Sequence, residues 1–557
     1  MNKIVYYVKI AFSGKGSCKM AIVNSKCPNC GNIIKIETNK MLSSCPYCKS
    51  SFNTNDAIQA YRTYVATGGN QMDNTFEIED NKLIKYNGRA RSVNIPEGVE
   101  VIGYEAFRFD GAKDEHVLQA ISVPSSVREI EEGAFANNLV LSRIDLSQCA
   151  ELTTIGPRAF SGCRSIDELD LSKCNKLEVI GEKAFAGCKG LRNVIFPTSL
   201  NTIGQSAFMN TGITEIDLSM VHLKELDTQI FKSCPQLESV ILANCDKVKD
   251  IDKDSFPELE SILRLDFSNC KNITSINDSA FCKFKRLQYI KFNNCVNLQY
   301  IENNAFKDCV NLIECTFGNL PKLQVIGKNA FRGCKALENV DLSGTAIKSI
   351  EIWGFGQCPV LRSITLPESI ETISSWAFNE CDSLFQINLQ NCINLGYIEQ
   401  AAFQNCKSAQ QILLPDNVNV ISKSAFQGCS LVKKIKLPAN VGTIEALAFA
   451  DLTNLQDLSF TDCSILISID KEAFRNASNL QTIDFSNCGI TTICEEAFKN
   501  CSKLREIKFA NNENLMSVQL GAFSGCKKVK KLNIAGIPAG DKVFDKKAFD
   551  SVKFTTK

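Results

Sequence analysis

Short segments of the chain alternate apolar and polar side chains, as in Arg143-Ile144-Asp145-Leu146 and Glu215-Ile216-Asp217-Leu218. A period of two predicts short strands with one buried face. Between them, Gly181-Glu182-Lys183-Ala184-Phe185 and its equivalents predict a turn leading into a brief helical segment. The whole order of positions then returns. Nineteen Phe residues, sixteen of them preceded by Ala, recur from Phe107 to Phe549 at steps of 23 to 25 residues, with 28 at the first step and 26 at the last. A unit this short cannot bury its own apolar stripe, so neighbours must cover it, and the pattern predicts a solenoid. Each buried Phe contributes roughly 1.5–3 kcal/mol, which makes the nineteen a continuous spine.

The repeat has two lengths. Long turns of about 25 residues carry Leu-Ser-x-Cys, as at Leu146-Ser147-Gln148-Cys149, and short turns of 23 carry an apolar residue and Pro, as at Phe196-Pro197 and Leu366-Pro367. Proline fixes φ and removes a donor, so it ends a strand at a tight corner. In the wider corner a Cys turns inward and hydrogen-bonds the loop backbone.

Composition narrows the chemistry. The 557 residues include 62 Lys+Arg and 61 Asp+Glu, so the chain as a whole has no electrostatic bias toward polyanions. Only two imidazoles are present, His116 and His222, some four turns apart, and no catalytic residues are expected. No secretory signal or membrane span is visible, which points to a soluble cytoplasmic protein with reduced thiols.

The segments Ile364 to Cys381 (ITLPESIETISSWAFNEC) and Val194 to Phe208 (VIFPTSLNTIGQSAF) resemble the BspA-like leucine-rich repeat. Phe76 through Tyr86-Asn87-Gly88 to Ile95-Pro96-Glu97-Gly98-Val99 is similar to the usual opening of such an array. The resemblance covers residues 76 to 549. It implies a leucine-rich-repeat solenoid and binding of proteins or surface ligands. Many relatives are cell-surface proteins, so an adhesin exported without a recognisable signal is an alternative.

Ahead of the array, Cys27-Pro28-Asn29-Cys30 and Cys45-Pro46-Tyr47-Cys48 form C-x2-C-x14-C-x2-C. Two knuckles offering a pair of thiolates each suit one tetrahedral Zn2+. The segment resembles a zinc ribbon. Four thiolates close the coordination sphere, so the metal is expected to be structural and to supply folding energy. The expected fold is mainly β within the α+β class: a small zinc-ribbon domain over residues 1–55, a short helix or linker over 56–75, and a solenoid of about nineteen turns over 76–557. Residues 1–75 hold nine basic and three acidic side chains, which leaves nucleic-acid binding through the ribbon as a second alternative.

Eleven Cys stand three residues after an anchor Phe, and a second column stands eleven residues before it. Asn138, Thr211, Leu452 and Ala477 interrupt the first column, which favours packing over paired redox or metal chemistry. Both Trp residues fall within repeats and are read as packing. The solvent-facing strand position is Asp145, Asp170, Asp217, Asp266 and Asp341, then Lys436, Asp484 and Lys508. This column is the expected binding face for a protein partner.

Overall fold

A computed structural model describes residues 22–29, 32–37, 40–47, 49–66, 75–111, 117–224, 228–256, 260–387 and 389–556. Two antiparallel hairpins come first, β1 (Ile22–Lys26) with β2 (Ile33–Glu37) and β3 (Leu42–Ser44) with β4 (Ser51–Asn53). Helix α1 (Thr54–Ala66) follows directly. Asn53 caps it, its Oδ1 accepting the Asn55 N–H at 2.8 Å, and Asp56 stands in its first turn, where the helix dipole favours an anion.

The array opens with an antiparallel hairpin, β5 (Phe76–Glu79) and β6 (Lys82–Tyr86). After it every pairing is parallel, one turn to the next. β5 therefore closes one edge of a seven-stranded sheet. Each turn contributes two pieces of strand. A two-residue strand enters one ladder, which runs from Val101–Ile102 to Thr202–Ile203 and again, eleven strands wide, from Ser275–Ile276 to Ser517–Val518. A three-residue strand enters a second ladder, eight strands wide from Glu215–Asp217 to Gln386–Ile387 and five from Gln411–Leu413 to Glu506–Lys508. In strands such as Glu168–Asp170 and Lys434–Lys436 the centre is buried and both flanks face water, which is the period of two read from sequence.

All nineteen anchor Phe side chains are buried in one hydrophobic core. The rings stack face to face: Phe135 on Phe160 at 4.9 Å, Phe306 on Phe331 at 4.8 Å, Phe474 on Phe498 at 5.1 Å. Tyr86 extends the spine by stacking on Phe107 at 4.9 Å. Nineteen anchors thus make about eighteen stacked turns. The spine is interrupted once: among the described residues no stacked pair joins Phe208, Phe231 and Phe256. Ile230 and Ser255 replace the usual Ala there.

Among the described residues the brief helical segment expected before each Phe forms only as a 3-10 turn at Thr228–Phe231, and elsewhere tight turns take its place. Lys183 (φ 54°) and Gly187 (φ 77°), on either side of Phe185, are left-handed, and the same two positions repeat along the array. Left-handed residues stop a helix from propagating. The Phe185 N–H instead donates to Ala207 O of the next turn at 2.8 Å, as Phe331 does to Gly354 at 2.8 Å. Every second donor that a helix would use locally is spent on the neighbouring turn, while those between, such as Ala184 and Ala186, close tight turns of their own.

Candidate functional site

The two hairpins ahead of the array place their cysteines alike. Cys27 follows β1 and donates its N–H to Asn32 O at 2.9 Å; Cys45 follows β3 and donates to Ser50 O at 2.9 Å. The second loop is tightened by Lys49 (φ 59°), whose N–H reaches Cys45 O at 3.0 Å. Both side chains are buried in one small core with Ile34, Ile36, Phe52 and Ala57. Cys30 and Cys48 lie outside the described residues. Among the described residues no three His, Cys, Asp or Glu gather about one point.

The cysteines of the array have a different task. All eleven in the first column place Sγ 3.0 to 3.6 Å from the carbonyl oxygen of the Phe one turn earlier, from Cys163 on Phe135 to Cys526 on Phe498. Where Asn138 interrupts the column, its Nδ2 donates to Phe107 O at 2.7 Å and makes the same link. Thr211 bonds Phe208 O of its own turn, and Leu452 and Ala477 only fill space. In the second column Cys270 donates to Leu242 O at 3.1 Å and Cys295 to Phe267 O at 3.0 Å. Asn512 substitutes for Cys there, reaching Phe485 O at 3.3 Å. Burial pushes the Cys163 and Cys358 thiols up to about 12. These are protonated S–H donors knitting turns together, the packing role expected of them.

The proposed binding column is less uniform than its Asp residues suggest. Pairing places Asp170 beside Ile195, Asp217 beside Ile241, and Asp266 between Ile241 and Lys291. Lys291 Nζ stands 3.7 Å from Asp266. Each Asp also serves its own corner: Oδ1 of Asp145, Asp170, Asp217, Asp266, Asp341 and Asp484 accepts the N–H of the Ser two residues on, at 2.8 to 3.0 Å. Asp-Leu-Ser, or Asp-Phe-Ser at Asp266 and Asp484, is thus an Asx turn that starts the corner. Lys436 lies 3.8 Å from Asp416, and Lys508 is exposed.

His222 is exposed, and His116 lies outside the described residues. Trp353 and Trp376 stack at 5.8 Å, and the Arg332 guanidinium covers the other face of Trp353 at 4.3 Å. Gly356 leaves room for that arrangement, since a Cβ there would meet Trp353 Cε3 at 2.4 Å. Both Trp residues therefore pack, as expected, and Arg332 adds a cation–π contact. Strand spacing did not reveal the charge of the last turns, where Arg505, Lys508 and Lys531 line one groove of about 570 Å3. Charge counted per segment would have found it. No helix among the described residues is long and apolar enough to cross a membrane.

No curated protein sequence matches the chain significantly. Similar solved structures include a leucine-rich repeat protein from Bacteroides ovatus, 21% identical over 86% of this chain and 97% of that one, with a TM-score of 0.29. Others are the leucine-rich repeat protein of T. pallidum (20% identity, 48% and 89% coverage, TM-score 0.24) and the pneumococcal vaccine antigen PcpA (15%, 86% and 95%, 0.27). The BspA type leucine-rich repeat region matches in overlapping stretches from residue 77 to residue 555. With that match spanning most of its length, the chain belongs to the BspA type leucine-rich repeat family.

Proposed function

We propose that the chain is a non-enzymatic recognition solenoid that binds a protein partner and carries a structural zinc ribbon. The observation behind the recognition reading is the eight-stranded ladder from Glu215–Asp217 to Gln386–Ile387, which sets outward-facing side chains side by side on one rigid surface. Solenoids of stacked repeats use such surfaces for extended contacts. Immobilised full-length chain should retain a discrete protein from an extract of its own cells and release it to free chain. Retention of nucleic acid alone would favour the alternative reading through residues 1–75.

The zinc reading is supported by the matched placement of Cys27 and Cys45, each at the foot of a hairpin with the same backbone bond across its loop. Cys27, Cys30, Cys45 and Cys48 would hold the ion, and four thiolates leave no position for an activated water. The core formed by the described residues has six buried side chains, too few to fold this segment alone, so metal binding would supply the folding energy. Purified protein should carry one equivalent of Zn2+, and chelation should expose α1 and the two hairpins to proteolysis while the array persists. Metal below about half an equivalent contradicts the four-thiolate site. Buried thiols acting as hydrogen-bond donors suit a reducing compartment, and we place the protein in the cytoplasm on that ground.

A further inference from the structure

Charge is segregated along this chain far more sharply than its near-neutral total suggests. Residues 76–500 hold 41 Lys+Arg against 53 Asp+Glu, whereas residues 501–557 hold 12 against 5. The eleven described cations of that last stretch, Lys503 to Lys553, are all exposed, and none forms an ion pair. Ion pairs do run along the rest of the array, from Lys82–Glu131 to Lys499–Glu496. The excess is therefore unneutralised and concentrated on a few turns.

The fold gives this charge a shape. Glu506–Lys508 ends the five-stranded sheet, and Lys531–Asn533 begins a separate two-stranded sheet with Lys553–Thr555. The two edges are not paired, and a groove of about 570 Å3 opens where they meet. Arg505, Lys508 and Lys531 line it, together with Asn511, Asn533 and Thr555. Clefts lined by one sign of charge focus the field and raise the encounter rate with the opposite sign.

We propose that this groove docks an acidic, extended peptide segment of the protein partner, a proposal that rests on the recognition reading above. Glu506 lines the same groove, so an uninterrupted polyphosphate would meet a like charge there, while spaced carboxylates can avoid it. The only aromatic residue in the lining, Phe509, is buried, so no ring is offered for base stacking. No exposed bulky apolar side chain lines the groove to enter a bilayer.

The test uses full-length protein and a fluorescent peptide of alternating Glu and Ser, with duplex DNA and phosphatidylserine vesicles as competitors. The combined variant Arg505→Glu/Lys508→Glu/Lys531→Glu should bind the peptide at least about tenfold more weakly, and added salt should weaken the parent. Lys328→Glu, an exposed site many turns away, should leave affinity unchanged. An unchanged melting curve shows that the triple variant is folded. Equal affinity in parent and triple variant overturns the groove, as does tighter binding of duplex or vesicles. Extract capture with both forms separates the two readings. Partner retention undiminished in the triple variant overturns the groove alone, and no retention by the parent overturns the recognition reading.

Discussion

The thiol of Cys334 sits 3.2 Å from the carbonyl oxygen of Phe306, one turn earlier in the array. That oxygen also accepts the N–H of Cys309 in its own turn at 3.2 Å. One carbonyl thus ties two turns, and the same knot recurs at Phe160, Phe331, Phe378, Phe403 and Phe498. Burial raises these thiols, to about 12 for Cys358 and Cys429 against an ordinary value of 9.0. The unfolded chain therefore gives up these protons first as pH rises. The contribution is complete below about pH 9 and declines as pH climbs toward about 12. Urea midpoints should be flat near neutrality and fall above about pH 9; a midpoint that rises there contradicts the assignment. Peptide-resolved alkylation at neutral pH should label the half-buried Cys282 and Cys494 well before any member of the columns.

Asp341 shows how an exposed carboxylate serves the corner. Its Oδ1 holds the Ser343 N–H at 2.9 Å, and its strand neighbour across the pair is Thr365. Asp341→Ala should cost about 0.5–1.5 kcal/mol in urea unfolding, and Asp341→Asn, which keeps the acceptor, much less. Equal losses in the two variants would point to charge and away from the turn.

Ala409 breaks the column of large apolar residues between Leu384 and Val432, and a cavity of about 30 Å3 lies against it, lined also by Phe385, Leu389 and Ile412. Ala409→Val adds two carbons to that space and should raise stability by about 1 kcal/mol. A loss would mean that the half-exposed Phe385 already needs the room.

The parts of the fold legible from sequence are those in which one residue type repeats at one place. Phe at each step announced the spine, and Cys three residues later announced a buried donor. What escaped depends on partners in other turns. The segment around Lys183 and Ala184 resembles a helix start, yet every second donor, from Lys183, Phe185 and Gly187, goes to the next turn. The Asp column looked continuous because strand neighbours such as Ile195, Ile241 and Lys291 are set by pairing across turns. Asp-Leu-Ser carried a turn signal of its own, which exposure overshadowed. The spine's interruption was visible only as Ile230 and Ser255, two ordinary substitutions for Ala. The basic last turns were hidden by a sum over the whole chain.

Each turn is held by its neighbours through the stacked rings, and Phe331 tests this most directly. It is fully buried between Phe306 at 4.8 Å and Phe355 at 5.0 Å. Phe331→Ala should cost about 3–5 kcal/mol. Hydrogen exchange on the full-length variant is the decisive measurement. Protection should fall in the turns from about Phe306 to Phe355 and persist in those near Phe135 and Phe498. Unchanged protection around residue 331, or a uniform loss from one end of the array to the other, would contradict the account.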